Sequence, residues 1–152
     1  MKKLFTVAAF AVAISVPVGV SIAAMPGVAG AASSITCKGL TGKITGNVTI
    51  SKCTPTGGAG YKTASAPAAN LATGGNITWK TSNATTTIGN AVVSNPTNKC
   101  GTKGTEYSFT GSVTAASTVG KGIPKVGDAV SALACVSSTG AITLLPRTTM
   151  KL

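Results

Sequence analysis

The stretch Glu106-Tyr107-Ser108-Phe109-Thr110-Gly111-Ser112-Val113-Thr114-Ala115 decides the fold. Tyr107, Phe109, Gly111, Val113 and Ala115 share one parity, and Glu106, Ser108, Thr110, Ser112 and Thr114 share the other. Successive side chains of an extended strand point to opposite faces, so this pattern predicts a half-buried strand with its aromatic parity toward a core.

The same pattern recurs on both sides of it. Downstream, Ala129 to Val136 is apolar at both parities except Ser131, as in a central strand covered on both faces. Ser137-Ser138-Thr139-Gly140 is a turn signal, and Ala141 to Leu145 returns as its partner in the clearest hairpin of the chain. Upstream, Ile77 and Trp79 alternate with Thr78 and Lys80, and Ser82-Asn83 turns the chain into Ala84 to Ile88. From Leu40 to Ile50 the even positions Leu40, Gly42, Ile44, Gly46, Val48 and Ile50 oppose Thr41, Lys43, Thr45, Asn47 and Thr49. Here either one long strand or a hairpin turning at Gly46-Asn47 fits.

Loops carrying Gly or Pro separate these segments at Thr54 to Gly60, Ala66 to Gly75, Asn95 to Gly104 and Ala116 to Asp128, and no stretch reads as an amphipathic helix. The motif Thr-Gly-x-(Ile/Val)-Thr at Thr41, Thr45 and Thr110 is strand composition and not a repeat architecture. The reading is all-β: a β-sandwich, Ig-like or Greek-key, of about six to nine short antiparallel strands, with a β-barrel as the alternative.

The N-terminus has a different character. Met1-Lys2-Lys3 precedes an apolar run from Leu4 to Ala24, and Ala29-Gly30-Ala31 supplies the small-x-small site of a secretory signal. Residues 1–31 are therefore expected to be a cleaved signal peptide and residues 32–152 a single exported β domain. An uncleaved anchor is the competing reading, but Pro17 interrupts the run and Pro26 ends it. Thr36 before Cys37 does not fit a lipidation site.

Removal of residues 1–31 leaves 121 residues, enough for one core. The net charge of +11 loses the two lysines of that segment, giving +9, and only Glu106 and Asp128 are acidic. Cys37, Cys53, Cys100 and Cys135 all lie in the exported part, where an even count is expected to pair as two disulfides. Of the three pairings, Cys37 with Cys53 and Cys100 with Cys135 best match the strand pattern. A metal site is not expected, since there is no histidine and no C-x-x-C.

The I-T-C-K-G-L-T-G segment from Ile35, the C-G-T-K-G-T-E-Y-S-F-T-G segment from Cys100 and the T-T-M-K-L end resemble small secreted actinobacterial β-rich proteins of unknown function. The resemblance implies export and a β domain, and it transfers no activity.

Most catalytic schemes fail for want of residues. Without histidine there is no Ser-His-Asp or Cys-His arrangement, and neither S-x-x-K nor a phosphate-cradling G-x-x-x-x-G-K-(S/T) occurs. Glu106 and Asp128 are the only pair for a two-carboxylate hydrolase. As ordinary surface groups, each would instead sit beside a neighbouring lysine.

The sequence thus points to a secreted or cell-envelope-associated, non-catalytic binding domain without cofactor, metal or nucleic-acid partner. Its basic surface would contact anionic polysaccharide or lipid. The candidate contacts are Lys62, Lys80, Lys99, Lys103, Lys121 and Lys125, with Tyr61 as a stacking ring in a Gly-rich loop. A small hydrolase using Glu106 and Asp128, or a membrane-active effector, is the alternative. Intact mass of the exported protein is expected to place its start near Ala32 and to rise by four hydrogens on reduction, two for each bridge. A free thiol before reduction would refute the pairing.

Overall fold

The computed structural model describes residues 35–55, 60–89, 92–94, 99–117 and 124–152; residues 1–31, and with them the expected signal peptide, lie outside this set. Among the described residues ten strands run in chain order: β1 (Ile35–Lys43), β2 (Asn47–Pro55), β3 (Ala64–Pro67), β4 (Gly75–Trp79), β5 (Thr85–Ile88), β6 (Val92–Ser94), β7 (Thr105–Ala116), β8 (Ala129–Val136), β9 (Ala141–Leu144) and β10 (Met150–Lys151). A short helix α1 (Ala68–Thr73) joins β3 to β4, and a single 3-10 turn spans Gly101–Lys103.

Every pairing is antiparallel, and the ladder runs β1-β2-β3-β4-β5-β7-β8-β9 before β9 returns to β1 through Thr41↔Thr143 and Gly42↔Ile142. This is a closed barrel of eight strand positions. Two positions are each filled by two short strands. β5 covers the C-terminal half of β7 and β6 its N-terminal half. β9 and β10 likewise share the gap between β8 and β1.

The sandwich reading is corrected to the barrel alternative. Alternation within strands is identical in the two architectures; what separates them is whether the first and last strands pair. Here they do, and neighbours around the barrel follow chain order, so no Greek-key crossover occurs among the described strands.

The stretch from Leu40 to Ile50 resolves as a hairpin, with Leu40↔Ile50 and Gly42↔Val48 opposed across the turn at 44–46. A Cβ on Gly42 would meet the backbone of Asn47 and Val48, so the strands approach too closely there for a larger residue. The inward parity then changes within both strands. Ile35 and Cys37 are buried before Leu40 in β1, and Val48 and Ile50 before Cys53 in β2. The change falls at Lys38 and Lys52, and Lys52 adopts φ +53°. Strict alternation would have driven the Lys52 ammonium into the core, where an unpaired charge is costly. The shift turns it out and leaves Cys37 and Cys53, already opposed in the register, buried together, where they form a disulfide.

An eight-stranded barrel has an interior just wide enough to be filled by side chains. Trp79 occupies it with no exposed surface, opposite Ala64 in the register, while Ala66, Ala132 and Ala134 are also small and buried. Its indole Nε1–H donates to Thr86 Oγ1 at 2.9 Å, so the polar atom buried with the ring is satisfied. Tyr61 packs edge-on against it, ring centroids 5.0 Å apart. Phe109 and Val113 of the decisive strand point inward as its pattern predicts, with Tyr107 half-buried.

Helix α1 lies within what reads as a loop. Six residues are too few to display helical periodicity, yet Ala68 and Leu71 are buried. The expectation that β8 is covered on both faces holds in part. Val130, Ala132 and Ala134 face inward, Leu145 N–H extends the β8–β9 ladder to the Leu133 carbonyl at 2.9 Å, and Thr148 and Thr149 lie beside Ser131 and Leu133.

Thr86→Val is expected to lower unfolding free energy by about 1–3 kcal/mol, because the buried indole N–H loses its acceptor. Trp79→Ala should cost about 3–5 kcal/mol by leaving a cavity in the barrel interior. Urea unfolding followed by circular dichroism checks both; an unchanged Thr86→Val midpoint would show that the indole finds another partner.

Candidate functional site

The candidate contact residues separate into two places on the barrel. One end collects the start of β1, the end of β2, the β2–β3 loop, the β4–β5 turn, the β7–β8 connection and β10. Lys38 and Lys52 occupy facing positions between the pairs Cys37↔Cys53 and Gly39↔Ser51. The Lys62 carbonyl accepts the Cys53 N–H at 3.2 Å, and Lys80 N–H donates to the Thr63 carbonyl at 2.9 Å. Lys151 sits opposite both Thr36 and Ser131. β10, β1, β2, β3 and β4 are successive neighbours, so Lys151, Lys38, Lys52, Lys62 and Lys80 form one arc, and Lys125 adds to the same end. All six are exposed.

Neighbouring strands stand about 5 Å apart, inside a screening length of about 8 Å at physiological ionic strength, so each charge reinforces its neighbours along the arc. The carboxylate at this end lies beneath that surface. Asp128 is only 8% exposed, and its Oδ2 accepts the Lys125 backbone N–H at 2.9 Å.

Lys99 and Lys103 lie elsewhere, at the opposite end beside Cys100. The Cys100–Cys135 disulfide clips their segment onto the barrel's outer face. Closing a loop of 35 residues is worth about 3–4 kcal/mol in the chain-entropy account. Glu106 is opposite Cys135 in the register, on that outer parity, and the clipped segment covers it. Its side chain is 1% exposed, and its Oε2 accepts the Lys99 N–H at 2.5 Å.

The reading of Glu106 and Asp128 as surface groups beside lysines is therefore corrected: both are buried, each holding a backbone N–H. Nor do they converge. Asp128 is at the level of Val113, whose N–H donates to the Asp128 carbonyl, seven residues along β7 from Glu106. At about 3.3 Å per residue that is roughly 23 Å, far beyond the 5–9.5 Å over which two carboxylates act on one glycosidic bond.

Tyr61 is also reassigned. At 5% exposure and packed on Trp79, it is part of the core and offers no open face for stacking. Lys121 lies outside the described residues. The described bases absent from the candidate set, Lys38, Lys52 and Lys151 above all, are scattered in sequence and meet only through strand register.

Among the concavities of the described residues, two lie toward the end of the barrel opposite the lysine arc. A groove of about 360 Å³ runs along the clipped segment, lined among others by Lys99, Lys103, Ser137, Thr143, Leu144 and Pro146. An apolar hollow of about 90 Å³ lies at the barrel mouth beneath α1, between Ala68, Ala72, Tyr107 and Phe109. Among the described residues no group of three or more His, Cys, Asp or Glu side chains is placed to hold a metal, and no helix is long and apolar enough to cross a membrane.

Fold and charge define a small up-and-down β-barrel braced by two disulfides. No family model, curated protein or solved structure matches the chain.

Glu106→Leu is expected to cost about 1–3 kcal/mol by leaving the Lys99 N–H without its acceptor. Glu106→Gln, which keeps an acceptor oxygen, should cost markedly less. Equal losses in urea unfolding would mean that the negative charge, and not the hydrogen bond, holds the segment.

Proposed function

We propose that this protein is a secreted or cell-surface-associated, non-catalytic binding domain whose basic rim contacts anionic polymers of the cell envelope or of a host. The observation that carries this reading is the arc of exposed lysines on adjacent strand positions, with the acid of that end buried. Two disulfides fit an oxidising compartment outside the cytoplasm. The roughly 23 Å between the two carboxylates weighs against the hydrolase alternative.

Lysine ammoniums are compact, mobile point donors, and Arg147 is the one planar fork in the exported part. Such a surface senses charge density more than ligand shape, so different polyanions should displace one another with little preference.

Retention of the mature domain on immobilised polygalacturonate and on anionic vesicles is expected at low salt and lost near 1 M, where the screening length falls to about 3 Å. Lys52→Glu with Lys62→Glu and Lys80→Glu should abolish retention while leaving the unfolding midpoint nearly unchanged. Salt-insensitive retention on a neutral dextran would overturn the electrostatic reading. Leakage of the vesicles would favour the membrane-active alternative.

A further inference from the structure

The groove beside the Cys100–Cys135 bridge lies toward the opposite end from the rim and shares no residue with it. Its lining mixes two kinds of surface. Lys99 and Lys103 bring two exposed ammoniums within four residues, and Ser137 and Thr143 bring hydroxyls. Ala141, Leu144, Pro146 and the disulfide itself are apolar.

No lining residue is acidic, and the nearest carboxylate in the register, Glu106, is buried and bonded to the Lys99 backbone. The two cations therefore lack an internal counter-ion on this surface. The groove is also braced, since the disulfide fixes Cys100 to β8 and Glu106 holds Lys99 from beneath. Preorganisation of this kind reduces the ordering cost of taking up a ligand.

The same lining limits what enters. With no aromatic ring there is no platform for the face of a sugar. A bare inorganic anion would leave the apolar half unused. The volume, about 360 Å³, falls at the small end of pockets that take up organic molecules.

We propose that this groove binds a small acyl carboxylate, its head group between Lys99 and Lys103 and its aliphatic body along Ala141, Leu144 and Pro146. A charged head alone gains little at an exposed lysine, and an aliphatic chain alone gains little in an open groove. Together they use both halves of the lining.

The test is a titration of the disulfide-intact protein with octanoate, followed through backbone amide shifts. Saturable shifts are expected at Lys99, Gly101, Lys103, Ala141, Thr143 and Leu144. Lys99→Glu with Lys103→Glu should weaken binding by about tenfold, and octanamide and acetate should each bind about tenfold more weakly than octanoate. Lys52→Glu with Lys62→Glu and Lys80→Glu should leave octanoate binding unchanged, which separates this site from the rim. The proposal fails if octanamide or acetate matches octanoate, if the shifts fall on Tyr107 and Phe109 at the barrel mouth, or if no saturable shifts occur.

Discussion

Closure of the sheet is the constraint on which the rest depends. β1 pairs with β2 on one side and with β9 and β10 on the other, so no strand at this seam presents an unpaired edge. Open edges recruit other chains, and closure removes them. Closure also fixes the radius, and the radius decides which side chains the interior accepts. A buried indole needs a small residue across from it, and Ala64 holds that place in the register, while Ala66, Ala132 and Ala134 are further small side chains buried in the interior. An alanine-rich sequence that would make a poor sandwich core makes a well-filled narrow barrel.

The two disulfides act on different levels of this structure. Cys37–Cys53 joins residues already opposed in the first hairpin and locks the place where both strands exchange their inward parity. Cys100–Cys135 holds a segment that is not part of the barrel wall against its outside. The first secures the frame, whereas the second creates a covered surface, and Glu106 lies beneath that cover. The two acidic side chains consequently serve backbone N–H groups, leaving every described lysine and arginine exposed to solvent.

Strand identity was legible in the sequence because alternation is local: Glu106 to Ala115 and the hairpin from Ala129 to Leu145 can be read within a window of a dozen residues. The disulfide pairing followed from the same pattern. Closure was not legible, since it is a pairing between the two ends of the chain and leaves no mark within any one strand. Tyr61 misled because a Gly-rich neighbourhood reads as an open loop, while its burial depends on Trp79, eighteen residues further on. Glu106 misled for a related reason: its parity is outward, and only the segment clipped above it makes that position interior. The lysine arc was invisible for want of register. Lys38, Lys52, Lys62, Lys80 and Lys151 are dispersed along the chain, and strand order alone makes them neighbours.

The seam has a mechanical meaning as well. Ile35 and Leu152 exchange backbone hydrogen bonds of 2.8 and 2.9 Å, and Met150 pairs with Cys37. Because β1 and β10 run antiparallel, Ile35 and Leu152 meet at the same end of the barrel, and a force drawing them apart would load their hydrogen bonds one after another. The seam therefore yields to peeling more readily than to sliding, since sliding would strain all of its bonds together.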